Sequence, residues 1–423
     1  MADGDLAIDT ATRLGAARIM DGENPIAGAR VAKGHGDWVA RARALGPTIA
    51  AAGDEVERLG ELPPALVKTL AEAGLFRLLQ PRELGGGEVT PMEFAETMGE
   101  IASYDASTAW CVGQGNGCGA AAAFLAPAVA REIFGPDDGI VAWGPPSGDA
   151  VVKKAPGGYR LTGTWAFASG SHNASWFGAH IFEPGPDGKP IRRPDGGTVL
   201  RTLLFPKSRA QMTDIWRVMG LRGTGSDQYS VTDLFVADDH TILHDRKAAP
   251  ARQGGLLYRF SFSNLYASGF AGLALGVARG FYDSFVALAA DKTPRGAKST
   301  LRHNNVVQSQ VAQSSARLRA ARALLLTSLD DIWIEVGKTG KMTLDHNATI
   351  RLASTWAIKQ AREVVDELYH AAGATAIFDA QPFERRFRDI HTIAQQMQGA
   401  QRHFETVGGI LLGLEPDSTM FTF

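Results

Sequence analysis

His391, Ser169 and Arg222 are the side chains of this 423-residue chain whose type and setting best suit chemistry. His391 stands two places after Asp389, behind the basic run Arg385-Arg386-Phe387-Arg388. An imidazole titrates near neutral pH, so it can take a proton from a phenol-like group and return it within one turnover. A lone helical histidine is more often a packing residue, and spacing does not choose between the two. Ser169 and Gly170 close a run from Tyr159 to Phe167 whose β-branched and aromatic residues alternate with smaller ones, as in a strand. A strand ending on hydroxyl and backbone donors offers an edge to a planar aromatic ring, with Trp165 or Phe167 over its face. An ordinary barrel strand with a tight Ser/Gly turn accounts for the same residues. Arg222 sits within Gly220-Leu221-Arg222-Gly223-Thr224-Gly225-Ser226. Clustered glycines expose backbone donors there and the guanidinium adds a fixed charge; a glycine-rich hairpin corner is the alternative.

Fainter signals surround these. Trp110 opens a helix that Asp105 can cap, and it is either a core tryptophan or a wall of a site. Ser147 lies in the turn Gly144-Pro145-Pro146-Ser147-Gly148 and is a plausible donor or a plain turn serine. Arg317, Arg319 and Arg322 cluster on one predicted helix, with Arg295 and Arg302 just before it, and together could meet a phosphate. Most surface arginines are simply solvated. Gly113, Gly115, Gly117 and Gly119 have the wrong spacing for a dinucleotide fingerprint, and no strand precedes them. Gly337-Lys338-Thr339 is not a phosphate loop, because Ile332 stands where the first glycine belongs. Cys111 and Cys118 share a predicted helix and suit core filling; no Cys/His spacing points to zinc.

The elements that must position these residues fall into blocks. Charge balances at −2, with 45% hydrophobic and 21% charged residues, so nothing calls for nucleic acid or an anionic membrane. The N-terminal stretch carries acids and lacks an apolar core of the kind an export signal has. Residues 1–34 read as a flexible leader, 35–138 as an α-helical domain, 139–250 as strands and turns, and 251–423 as long helices. Apolar residues recur at helical spacing over 38–59, 65–73, 92–104 and 106–124. Short strands near 140–143, 159–167, 177–182, 199–205 and 228–236 fit a small β-barrel. Four helices at about 256–290, 305–337, 344–372 and 383–412, with short connections, fit an antiparallel bundle.

Several passages carry a family resemblance. Trp165-x-Phe167-x-Ser169-Gly170 followed by Trp176, the run from Gly220 to Ser226, Leu75-Phe76 through Pro81 to Gly85-Gly86-Gly87, and the Arg388-Asp389 signature are similar to the acyl-CoA dehydrogenase superfamily. The match is specifically to its branch of reduced-flavin-dependent, two-component monooxygenases and runs from about 62 to 414. The resemblance implies an α+β, mainly α, acyl-CoA-dehydrogenase-like fold: an N-terminal α-helical domain, a central β-barrel and a C-terminal four-helix bundle. It implies a homotetramer that takes reduced FMN or FAD from a separate NAD(P)H-flavin reductase, and the lack of an export-signal core or membrane-length apolar run gives a cytoplasmic expectation. No visible NAD(P)H fingerprint agrees with a second component. With O2, such an enzyme oxygenates a small aromatic or heteroatom-bearing substrate. Mapped residue by residue, the resemblance gives Ser169 a hydrogen bond at flavin N5 and His391 the acid/base work. Trp110 and Phe167 become walls, and Ser147, Gly170 and Arg222 cofactor contacts. Arg295 and Arg302 become phosphate ligands, reaching a neighbouring subunit's flavin as in family tetramers.

One departure bears on the reaction. Where many dehydrogenase members carry a catalytic glutamate, this chain has Met397 and Gln398, neither a base at neutral pH, and 258–269 supplies no carboxylate. An acyl-CoA dehydrogenase with a relocated base, or a non-enzymatic flavin- or nucleic-acid-binding relative, stays open as the alternative.

Overall fold

The computed structural model describes residues 37–193, 196–244 and 249–417, so the expected leader 1–34 lies outside the described residues. Helices come first. α1 (Trp38–Ala44) and α2 (Gly46–Leu59) are nearly continuous, parted where Pro47 enters the first turn of α2. α3 (Pro64–Glu72) and α4 (Pro91–Tyr104) also begin on proline, whose missing N–H costs nothing in a first turn. α5 (Ala106–Gly119) is capped by Asp105, which accepts the Thr108 N–H at 2.6 Å. Almost every residue of α5 is buried, Cys111 and Cys118 included, because small side chains let it run through the middle of the molecule. α6 (Pro127–Phe134) completes the domain.

The barrel region consists of two four-stranded sheets around one core. β1 (Val141–Trp143), β4 (Trp176–Phe182), β5 (Leu200–Pro206) and β8 (Thr241–Leu243) form the first, in that order, with β1 and β4 parallel. β2 (Val151–Ala155), β3 (Gly158–Ala168), β7 (Asp227–Ala237) and β6 (Gln211–Thr213) form the second, all antiparallel. Trp165, Tyr229 and Phe177 stack between the sheets, Tyr229 lying 4.3 Å from Phe177. The register of β3 against β7 slips between Trp165 and Ala168. At that bulge Phe167 takes φ 61°, so Trp165 points into the core while Phe167, two residues on, points out. Regular alternation would have put both on one face.

The C-terminal helices are α7 (Phe262–Asp291), α8 (Asn305–Thr339), α9 (Leu344–Ala372), α10 (Glu384–Gln395) and α11 (Arg402–Leu411). The fourth bundle helix expected over 383–412 is therefore two. Gln396 adopts extended angles, and a short turn, Met397–Gly399, separates α10 from α11. Side-chain bonds hold the break: Gln396 accepts the Gln398 N–H, and Arg351 of α9 donates to Gln398 Oε1. α7 packs on α4 through glycine. A Cβ on Gly272 would lie 2.0 Å from Ala95 O, and one on Gly276 2.1 Å from Gly99 O. The two backbones touch, and no larger residue fits between them. α7 is also the one described helix long and apolar enough to cross a membrane, and it is mostly buried in the protein.

Candidate active site

The signature on α10 works first as a clamp. Asp389, 2% exposed, accepts the Leu221 N–H at 2.6 Å. Arg388 donates to Met219 O at 2.6 Å and pairs with Glu384 at 2.6 Å and Glu57 at 2.7 Å. The loop before β7 is thus drawn onto α10 at Gly220, where a Cβ would fall 2.3 Å from Arg388 O and 2.6 Å from Thr392 Oγ1. Leu221 holds a left-handed φ of 53°, which these bonds stabilise. Burial pushes the Asp389 carboxyl up to about 7, against the opposing pull of the Leu221 N–H.

From Leu221 a hydrogen-bonded chain runs to the strand end picked out in the sequence. Thr224 Oγ1 donates to Leu221 O at 2.9 Å and lies 2.7 Å from Ser226 Oγ. Ser226 Oγ is 2.7 Å from Ser169 Oγ, and Trp110 Nε1 donates to Ser169 Oγ at 2.9 Å. Each hydroxyl has one hydrogen, so the ends fix the direction. Thr224 spends its hydrogen on Leu221, Ser226 must then donate to Thr224, and Ser169 to Ser226. Ser169 Oγ is left with acceptor capacity only. Trp110 is held from the other side by Phe270 of α7, stacked at 4.1 Å. Trp110 and Ser169, 59 residues apart in sequence, are therefore direct partners.

His391 is one turn beyond Arg388. With Phe387, Thr392 and Gln395 of α10 and Val218 and Met219 of the clamped loop it lines an open cavity of about 470 Å3. Its Nε2 is 2.9 Å from Asp366 Oδ1 of α9, and its ring is 4.5 Å from Phe387. Trp216 donates from Nε1 to Leu221 O at 2.9 Å and meets the exposed Phe167 edge-on at 6.1 Å. Phe167 of β3 and Trp216 of the loop thus form an apolar shelf, and Met219 of the same loop is exposed.

The remaining expected residues are placed differently. Gly170 takes a left-handed φ of 74° and its N–H donates to Thr224 O at 2.8 Å, which commits it to the loop. Arg222 donates to Val218 O at 3.0 Å and pairs with Glu57 at 3.2 Å, bracing the clamp. Ser147 donates to Asp149 within an exposed turn. Trp165, the other candidate for a ring cover, is in the barrel core with its Nε1 on His180 O at 3.0 Å. Arg295 and Arg302 are exposed in the α7–α8 connection, and no hydrogen bond or ion pair among the described residues joins them to the Ser169 chain. Sequence reasoning did not single out Ser226, Thr224, Trp216, Phe270 or Asp366. Ser226 and Thr224 lay inside a quoted motif; Asp366 is one acid among Glu363 and Glu367 on a helix, with nothing to distinguish it.

Comparison with known proteins agrees with this fold. Residues 42–128 match the acyl-CoA dehydrogenase N-terminal domain and residues 268–400 an acyl-CoA dehydrogenase C-terminal domain. The chain is similar to a pigment production hydroxylase of Rhodococcus erythropolis, 30% identical over 354 residues, covering 82% of this chain and 89% of that protein. It is similar to the oxygenase component of p-hydroxyphenylacetate 3-hydroxylase of Acinetobacter baumannii, 25% identical and covering 88% of each. Among solved structures, XiaF from Streptomyces sp. in complex with FADH2 and glycerol superposes with a TM-score of 0.82 at 25% identity, covering 90% of this chain and 96% of that one. The chain belongs to the acyl-CoA dehydrogenase superfamily, in its flavin-dependent monooxygenase branch, and is an oxygenase component that uses reduced flavin and O2.

Proposed function

We propose that the chain hydroxylates a small phenol-like aromatic substrate in the cavity beside His391. The carrying observation is that one helix, α10, both presents His391 to that cavity and, through Asp389 and Leu221, anchors the hydrogen-bonded chain to Ser169 and Trp110. Phenolic substrates are named in two relatives, a p-hydroxyphenylacetate hydroxylase and a resorcinol hydroxylase, and an imidazole can exchange a proton near neutral pH.

The residues present fit a flavin ring. Phe167 and Trp216 offer an apolar shelf, and Ser169 sets a hydroxyl oxygen at the barrel edge beside it. When bound, the reduced flavin would supply the two electrons that activate O2, and O2 would supply the oxygen atom that is transferred. Ser169 would accept a ring N–H. The reduced ring has an N–H at N5 where the oxidised ring has a bare nitrogen, so an acceptor-only Ser169 favours the reduced form. Trp110 keeps that oxygen in place, and Phe387 with Met219 lines the cavity with apolar surface. His391 takes the substrate's hydroxyl proton and gives it up after transfer.

The reduced flavin would come from an NAD(P)H-dependent reductase. We also propose a cytoplasmic homotetramer: Val306, Ile377, Phe378, Leu411 and Leu412 are large, apolar and exposed, and assembly would cover them. Light scattering checks the assembly, and a monomer at working concentration would end that proposal.

His391→Ala tests the reaction. Product per reduced flavin consumed should collapse, within the about 10²–10⁴-fold that a positioned acid/base contributes. Hydrogen peroxide should rise, with reduced-flavin affinity and melting temperature nearly unchanged. A variant that keeps full coupling and only melts earlier would show His391 to be a packing residue.

A further inference from the structure

His391 is held by more than its own helix. Asp366 Oδ1 lies 2.9 Å from His391 Nε2, and the second Asp366 oxygen is 3.8 Å from Arg362 Nε, one turn earlier on α9. A carboxylate only accepts, so the hydrogen of a neutral His391 must sit on Nε2, and the lone pair is then on Nδ1. The ring packs on Phe387, which stacks at 4.1 Å on Tyr369, also of α9. One polar contact with the neighbouring helix, and a tilted contact with Phe387 that Tyr369 of that helix braces, therefore fix the rotation of the ring and its tautomer together. The charged groups around His391 are Asp366 and Arg362 from α9 and Arg388 from its own helix. Val218 and Met219, the loop residues across the cavity, carry none. Arg388 is occupied by Glu384 and Glu57, which leaves the Asp366 carboxylate as the charge in contact with the imidazole.

We infer that Asp366 is a positioning residue that makes Nδ1 of His391 the nitrogen exchanging the substrate's proton. This rests on the proposed role of His391. The proton leaves the substrate O–H and bonds to Nδ1, the electron pair stays on the oxygen, and the imidazolium so formed lies beside the Asp366 carboxylate. Reversal of the same transfer after oxygenation restores the neutral ring.

The test uses the full-length enzyme with reduced flavin in three variants, His391→Ala, Asp366→Ala and Asp366→Glu, with nitrogen-15 spectra of the histidine rings. Asp366→Ala should lose about tenfold or more of product per reduced flavin. It should change His391 from a single Nε2–H tautomer to a mixture and leave reduced-flavin affinity within about twofold. Asp366→Glu, which keeps a carboxylate, should recover part of the coupling. A fully coupled Asp366→Ala beside an uncoupled His391→Ala would overturn the inference and spare the role of His391. So would equal loss in Asp366→Ala and Asp366→Glu with lowered melting and an unchanged tautomer, the pattern of a merely structural contact. A coupled His391→Ala enzyme would remove both.

Discussion

Two of the joints between the parts of this molecule are made of contrasting materials. The α4–α7 seam joins the N-terminal domain to the bundle chiefly by backbone contact at Gly272 and Gly276, with one ion pair, Arg279 to Glu100 at 3.0 Å, beyond them. The clamp between α10 and the Gly220–Leu221 loop joins the barrel to the same bundle through Arg388, Asp389 and backbone polar atoms. The seam gains from dense packing and has one way to fit. The clamp gains from directional bonds, and each of its members can be weakened without pushing the rest apart. The cavity and the Ser169 chain adjoin the clamp, so position there is set by hydrogen bonds that chemistry and pH can reach.

Breaking the seam should have the largest effect. Gly276→Val puts branched carbon into the Gly99 carbonyl, 2.1 Å from where its Cβ would stand, and overpacking at that scale should cost about 3 kcal/mol or more. Urea unfolding and soluble yield measure it; a variant as stable as the parent would mean that the helices can part without loss. Gly220→Ala attacks the clamp in the same way, with a carbonyl at 2.3 Å, but Gly220 lies in a loop and not between two packed helices. A cost of about 1–3 kcal/mol is expected. Weaker reduced-flavin binding should accompany it, and unaltered binding would separate the clamp from the flavin site.

Ser169→Ala sharpens the contrast within the polar side. One neutral hydrogen bond contributes about 0.5–1.5 kcal/mol, so reduced-flavin affinity should fall roughly 2- to 12-fold. Oxidised flavin should lose less, because the serine oxygen has only acceptor capacity to offer. Titrating both redox forms decides it, and equal losses would contradict the hydrogen-bond direction derived above. The smallest effect concerns pH. The Asp389 carboxyl is raised from 3.8 to about 7, chiefly by burial, so its neutral form favours the fold. That contribution is fully present below about 4 and is lost as pH rises through about 7. Asp389→Asn keeps an acceptor for the Leu221 N–H and does not titrate. Between about pH 4.5 and 7.5 the parent should therefore lose melting temperature relative to this variant, and parallel curves would place the titration elsewhere.

Some of this was legible before any coordinates. Proline at the first turns of α3, α4 and α6, the Asp105 cap and the turn-bounded strands are local signals, and local physics decides them. Ser169, Trp110 and His391 could be nominated because their types and flanking motifs are unusual. What they touch could not be read, since each partner comes from a distant segment: Ser169 meets Trp110 and Ser226, and His391 meets Asp366. Alternation placed Trp165 and Phe167 on one face of β3, and a bulge that depends on pairing with β7 turned them apart. The periodicity of 383–412 is helical throughout, yet Arg351 of α9 holds Gln398 in a break. Arg222 looked like a ligand for an anion, and Glu57 of α2 supplies that anion within the chain. Sequence alone determined which residues had the chemistry and which segments would be helix or strand, because both are properties of short windows. Only the tertiary structure decided which hydrogens are already spent and which lone pairs remain, because a hydrogen bond is settled by whatever the fold brings within 3 Å.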